Sequence, residues 1–101
     1  MEFIRPLENL TITEGQPMRL SCTLSKDNCH VTWLKDDQEI NVEESESNRF
    51  VATHDGRVYR LEVKESKMTD AGSYTIKVED KQQSCLVTIS GKIQSVFFVS
   101  F

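Results

Sequence analysis

The feature that most constrains this chain is an alternation of apolar and polar residues with a period of two, repeated along separate stretches. Met18, Leu20, Cys22 and Leu24 alternate with Arg19, Ser21 and Thr23. Tyr59, Leu61 and Val63 alternate with Arg60, Glu62 and Lys64, and Tyr74, Ile76 and Val78 with Thr75, Lys77 and Glu79. Cys85, Val87 and Ile89 are spaced by Leu86 and Thr88. Successive side chains of an extended strand point to opposite faces, so each stretch has one face to bury and one to wet. On a helix the same residues would be scattered around the axis. The pattern calls for antiparallel strands, each sheet packed on one side against a second layer.

Turn signals separate the strands at short intervals: Glu14-Gly15, Lys26-Asp27-Asn28, His54-Asp55-Gly56 and Glu79-Asp80-Lys81. His54-Asp55-Gly56 reads as the turn of a hairpin. Pro6 lacks a ladder donor and divides the first apolar segment into two pieces. The expected strands are residues 2–5, 9–13, 17–25, 30–35, 38–40, 49–53, 57–64, 72–79 and 83–90. Lys64–Ala71 is the one segment with a tendency to coil helically. A chain of 101 residues, 38% of them hydrophobic, has material for one modest core. Many short strands with frequent turns predict an all-β sandwich or barrel. Gly91 interrupts the last alternation, so the domain is expected over 1–90, with 91–101 an apolar tail or linker.

A net charge of −4 gives no global field for nucleic acid or an anionic membrane, so neither is an expected partner. No apolar run reaches the length of about 18 residues that a membrane span needs. The start, MEFIRPLENL, has no long apolar core and is not read as a secretory signal. Catalytic chemistry is not expected either. His30 opens a strand, and His54 is expected exposed and alone at a hairpin tip, with no nucleophile elbow in the chain. The four glycines are isolated turn residues rather than a phosphate loop. Glu43, Glu44 and Glu46 lack the alternating Asp/Asn and Gly of a calcium loop and read as a solvated loop. Cys29 beside His30 has no second ligand pair to complete a metal site, so no metal or other cofactor is expected. Asn9-Leu10-Thr11 matches a glycosylation sequon, a three-residue pattern frequent by chance.

Cys22 is followed eleven residues later by Trp33, and Asp70-Ala71-Gly72-Ser73-Tyr74 has the form D-x-G-x-Y. With these residues the chain resembles an immunoglobulin domain, in which strand-B cysteine, strand-C tryptophan and a "tyrosine corner" mark the core. Phe3-Ile4-Arg5-Pro6-Leu7, Val31-Thr32-Trp33-Leu34-Lys35-Asp36 and Tyr59-Arg60-Leu61-Glu62-Val63 look like segments of the I-set domains of titin, obscurin and myosin-binding protein C. The resemblance implies an immunoglobulin-like (I-set) antiparallel β-sandwich of Greek-key order. It implies a structural core containing Cys22, Trp33, Leu61, Asp70, Gly72, Tyr74 and Ile76. It also implies a salt bridge between Arg49 and Asp70 across the base of the sandwich.

In that family the second core cysteine lies two residues beyond the corner tyrosine, and here that position is Ile76. The resemblance therefore implies that the inter-sheet disulfide is absent by substitution. Such a cross-link would contribute roughly 4 kcal/mol, against a total stability of about 5–15 kcal/mol. Its loss is tolerated most readily in a reducing compartment, which points to a cytoplasmic, sarcomeric or cytoskeletal setting. Cys85 falls on an inward alternation as a small core residue, and Cys29 lies in the loop before the tryptophan strand, where a thiol oxidises more readily only if it is accessible.

The function implied is a non-catalytic spacer and docking module of a tandem-domain protein. Its partners would be immunoglobulin or fibronectin domains of sarcomeric proteins, and the overall charge weakly favours basic ones. Tension along such a chain loads the strands around Leu10–Thr13 and Val87–Ile89, which are sheared together if they run parallel. The alternative is an extracellular adhesion or receptor domain that has lost its disulfide. The tail adds a distinct feature, because Ser95–Phe101 is uncharged, β-prone and adhesive if exposed.

Overall fold

The alternating stretches become the central strands of two stacked sheets in a computed structural model that describes residues 1–40 and 49–91. The strands are β1 (Phe3–Arg5), β2 (Leu10–Thr13), β3 (Met18–Leu24), β4 (Val31–Lys35), β5 (Gln38–Glu39), β6 (Phe50–Asp55), β7 (Val58–Val63), β8 (Gly72–Val78) and β9 (Lys81–Ser90). One sheet has the order β1-β3-β7-β6 and the other β2-β9-β8-β4-β5. This is the Greek-key sandwich of the immunoglobulin type. The inward residues of β3 and β7 meet Trp33, Tyr74, Ile76, Val78, Cys85, Val87 and Ile89 of the other sheet in one apolar core. None of these core residues is more than 6% exposed. The helical tendency of Lys64–Ala71 is realised only as a 3-10 turn at Met68–Asp70.

Among the described residues every strand pair is antiparallel except β2 with β9, which runs parallel in the register Leu10↔Val87 to Thr13↔Ser90. The parallel pair follows from the chain's early change of sheet. β1 pairs with β3, the chain crosses at Pro6 and Leu7, and β2 joins the opposite sheet. Leu7 buries its side chain in the core, and Gln83 satisfies its backbone there. The Leu7 N–H donates to Gln83 Oε1, while Gln83 Nε2 donates to the Leu7 carbonyl at 3.3 Å.

Two turns differ from the sequence expectation. His54 and Asp55 are paired in the ladder, opposite Tyr59 and Val58, so the β6–β7 turn is Gly56-Arg57 rather than His54-Asp55-Gly56. Gly56, at φ +62°, supplies the left-handed residue this turn needs. The β8–β9 turn is Glu79-Asp80, with Glu79 itself left-handed at φ +57°. That lets Val78 pair with Lys81 and starts β9 two residues before position 83. The acidic residues Glu43, Glu44 and Glu46 and the tail segment Ser95–Phe101 lie outside the described residues.

Gly72 is fixed by a contact from another strand's turn. Asp36 and Asp37 form the β4–β5 turn at φ +51° and +69°, a region that Asp tolerates better than most residues. From there Asp36 Oδ1 accepts the Ser73 N–H at 3.0 Å, and the Asp36 N–H donates to the Ser73 carbonyl at 2.8 Å. The Ser73 N–H and the Lys35 ammonium hold the Asp36 carboxyl below its ordinary range. A Cβ at position 72 would lie 2.8 Å from Asp36 Oδ2 and 2.9 Å from Oδ1, on a backbone at φ +151°. Gly72→Ala is expected to lower the free energy of unfolding by about 2–3 kcal/mol in urea titration, through strain and displacement of Asp36. A variant as stable as the parent would show that this contact imposes nothing.

Candidate functional site

The polar centre of the molecule is a corner at the base of the sandwich, built on the 3-10 turn that precedes β8. Asp70 is 3% exposed, and its carboxylate is held from two directions. Arg49 donates from Nη1 to Oδ1 at 2.9 Å and from Nη2 to Oδ2 at 2.8 Å, a bidentate pair. The Lys67 N–H donates to Oδ2 at 2.7 Å. Arg49 Nη2 also donates to the Glu65 carbonyl at 2.7 Å, tying the segment before the turn to the start of β6. On the backbone side, Tyr74 Oη donates to the Asp70 carbonyl at 2.5 Å. Tyr74 also sits 6.3 Å from the Phe50 ring, centroid to centroid.

Burial pushes the Asp70 carboxyl up, but the Arg49 hydrogen bond, the Lys67 N–H and the Arg49 charge outweigh it and hold the group below its ordinary value. Burial and the neighbouring Asp70 charge push the Tyr74 phenol upward, so it stays a donor.

The residues singled out from the sequence fall into two groups. Arg49, Asp70, Gly72 and Tyr74 gather around the base corner and the start of β8. Trp33 and Ile76 are paired across β4 and β8, Leu61 pairs with Leu20, and Cys22 pairs with Tyr59. Cys22, Trp33, Leu61 and Ile76 are all buried. Cys22, Cys29 and Cys85 are free thiols. Burial raises Cys22 to about 11 and moves Cys85 in the same direction. Cys29 is half-buried, its thiol turned to the Lys26 carbonyl at 3.5 Å.

Several contributors are not apparent from the sequence. Tyr59 accepts the Cys29 N–H at 2.9 Å and stacks against His54 at 4.9 Å between ring centroids. His54 is therefore exposed but not alone, and it lies within β6 rather than at the hairpin tip. Asn9 Oδ1 accepts the Leu86 N–H at 2.9 Å, so the sequon's amide belongs to the crossing into β2. Asp-Asp after Lys35 was the only trace of the Asp36 contact, and it reads equally well as any polar turn. Among the described residues, no group of three or more His, Cys, Asp or Glu side chains is placed to hold a metal ion. No described helix is long and apolar enough to cross a membrane.

The two stacked sheets and the tyrosine corner define an immunoglobulin-type module. The sequence profile of the immunoglobulin I-set domain matches residues 1–93, and the chain belongs to that family. It is 31% identical over 93 residues to cardiac-type myosin-binding protein C of Mus musculus, covering 92% of this chain and 7% of that protein. It is 32% identical over 88 residues to titin of Drosophila melanogaster, covering 87% of this chain and a share of titin that rounds to 0%. The chain thus spans less than a tenth of these relatives. Among solved structures, titin domain I10 superposes with a TM-score of 0.78 at 23% identity, over 87% of this chain and 96% of that one. A chain from the crystal structure of a titin M10–obscurin like 1 Ig complex gives a TM-score of 0.79 at 23% identity, over 91% and 95%.

Removing Arg49 strands a buried carboxylate, so Arg49→Ala is expected to cost about 3 kcal/mol at neutral pH. Because the folded Asp70 value is depressed, the contribution of the pair is full above the ordinary carboxylate range and is lost as pH falls through the folded value. The gap between parent and variant in urea titrations should therefore narrow below about pH 4. A gap that is constant with pH would assign the loss to packing instead.

Proposed function

We propose that this chain is a non-catalytic spacer and docking module within a tandem-domain cytoplasmic protein of the sarcomere or cytoskeleton. The observation that carries the spacer reading is the parallel pairing of β2 with β9, close to the two ends of the described chain. A pull that separates the chain ends acts along both strands. In a parallel pair loaded this way the hydrogen bonds share the load, whereas an antiparallel hairpin pulled from its open end releases them one by one. The ladder is extended by the Glu14 N–H, which donates to the Ser90 carbonyl at 2.7 Å. The Ser90 hydroxyl reaches the Ile12 carbonyl at 3.4 Å, and Asn9 anchors Leu86 on the other side of the pair.

The similarity to short portions of titin and myosin-binding protein C supports the tandem setting. A titin–obscurin like 1 Ig complex among the structural neighbours supports docking on other immunoglobulin domains. The free, buried thiols of Cys22 and Cys85 suit a reducing compartment.

Donor direction repeats every second residue along a strand, so the Ile12 N–H faces β9 as the Glu14 N–H does. Ile12→Pro removes that donor, while Leu61→Ala empties core volume in the other sheet at a cost of about 2–5 kcal/mol. In single-molecule pulling from the termini, Ile12→Pro should lower the unfolding force far more than Leu61→Ala for a similar loss of stability. Equal losses of force would sink the shear-clamp reading.

A further inference from the structure

The outward face of the β1-β3-β7-β6 sheet carries a small positive excess, Arg5, Arg19 and Arg60 against Glu62 and Asp55, opposite in sign to the net charge of the chain. Its rows are Arg19, Glu62 and Val51; then Ser21, Arg60 and Thr53; then Thr23, Val58 and Asp55, with Arg5 of β1 beside Thr23. The alternating burial of β3, β7 and β6 turns these residues outward, with Thr23, Val58, Arg60 and Glu62 half-buried and the others exposed. Glu62 is committed to Arg19 at 2.8 Å, yet the Arg19 side chain remains 70% exposed. Among the described residues, neither Arg5 nor Arg60 is paired with a carboxylate. Lys64 and Arg57, both exposed, extend the basic character past the two ends of β7. The acidic side chains of Asp36, Asp37 and Glu39 lie instead at the β4–β5 edge of the other sheet.

Two further observations describe what would fit. A groove of about 280 Å³ is lined by Arg5, Glu8, Arg19, Ser21 and Thr23 among others, so two guanidinium groups face it together with one carboxylate. Ile4 and Val51, 59% and 49% exposed, stand on the two edge strands of the same sheet. The pairing irregularity between Phe3 and Arg5 leaves both Ile4 and Arg5 exposed. Arginine forks with unpaired donors are suited to carboxylates, and exposed aliphatic groups at the margins suit apolar side chains.

We propose that this face, centred on Arg60, docks an acidic protein segment that also carries aliphatic residues. Glu62, in the middle of the arginines, disfavours a uniformly charged polyanion such as nucleic acid, while a mixed acidic segment can place a neutral residue opposite it. The net charge of the chain gives the opposite indication, weakly favouring basic partners, because it averages this face with the acidic edge. The assignment rests on the docking half of the proposed function and is independent of the β2–β9 clamp.

The test is a titration of the folded chain with a Glu-rich peptide bearing leucines, followed by amide chemical shifts and fluorescence anisotropy. Shifts should concentrate at Arg19–Thr23 and Arg60–Glu62, and affinity should fall as salt is raised. Arg60→Ser, with its fold checked by circular dichroism, should weaken binding about tenfold, while Lys77→Ser on the other sheet leaves it unchanged. Absence of binding, shifts on another face, an unaffected Arg60→Ser variant, or tighter binding of a DNA duplex would each overturn the assignment. None of these outcomes alters the pulling result, so the spacer reading stands or falls separately.

Discussion

Apolar contact between two sheets, with no covalent bond joining them, is the constraint on which the rest of this structure depends. Cys22 sits in one sheet as a free, buried thiol, and Ile76, paired with Trp33, presents an apolar side chain from the other. Cohesion has to come from the fit of Leu20, Cys22, Tyr59 and Leu61 against Trp33, Tyr74, Ile76 and Val87. Interiors packed at crystal-like density respond to the loss of a single methylene, so such a core depends on each strand holding its register. The hydrogen-bonded features at the margins can be understood as devices that hold that register.

The base corner is the clearest of them. Arg49, at the start of β6, grips Asp70, just before β8, and Tyr74 closes the turn from within the core. One guanidinium thus joins the edge of one sheet to the entry of a central strand in the other. At the opposite margin Gln83 satisfies the backbone of Leu7 where the chain changes sheets, and that change makes the parallel β2–β9 pair possible. Tyr59 does comparable work for the loop before β4, through Cys29.

Much of this was legible in the sequence, for physical reasons. Burial on one face of a strand leaves a period of two, so β3, β7, β8 and the second half of β9 are visible in the order of residues. Cys22, Trp33 and the run Asp70 to Tyr74 carried the resemblance that placed Arg49 opposite Asp70. What escaped were contacts between a side chain and a distant backbone. Asp36 against Gly72 and Ser73, Gln83 against Leu7, and Asn9 against Leu86 leave no periodic mark. The reversal at Glu79-Asp80-Lys81 was legible, but not its left-handed glutamate or the early start of β9, because the run lacks the glycine that signals such a tight turn. The arginine face was hidden for another reason: net charge sums over the surface, whereas docking depends on how charge is distributed across strands.

The most direct measurement of the central claim is equilibrium unfolding in urea, with and without a strong thiol reductant. Packing alone predicts the same midpoint and the same free energy in both conditions, since Cys22, Cys29 and Cys85 are already reduced in the folded chain. A fall of about 2–4 kcal/mol on adding reductant, the usual contribution of a disulfide, would contradict it.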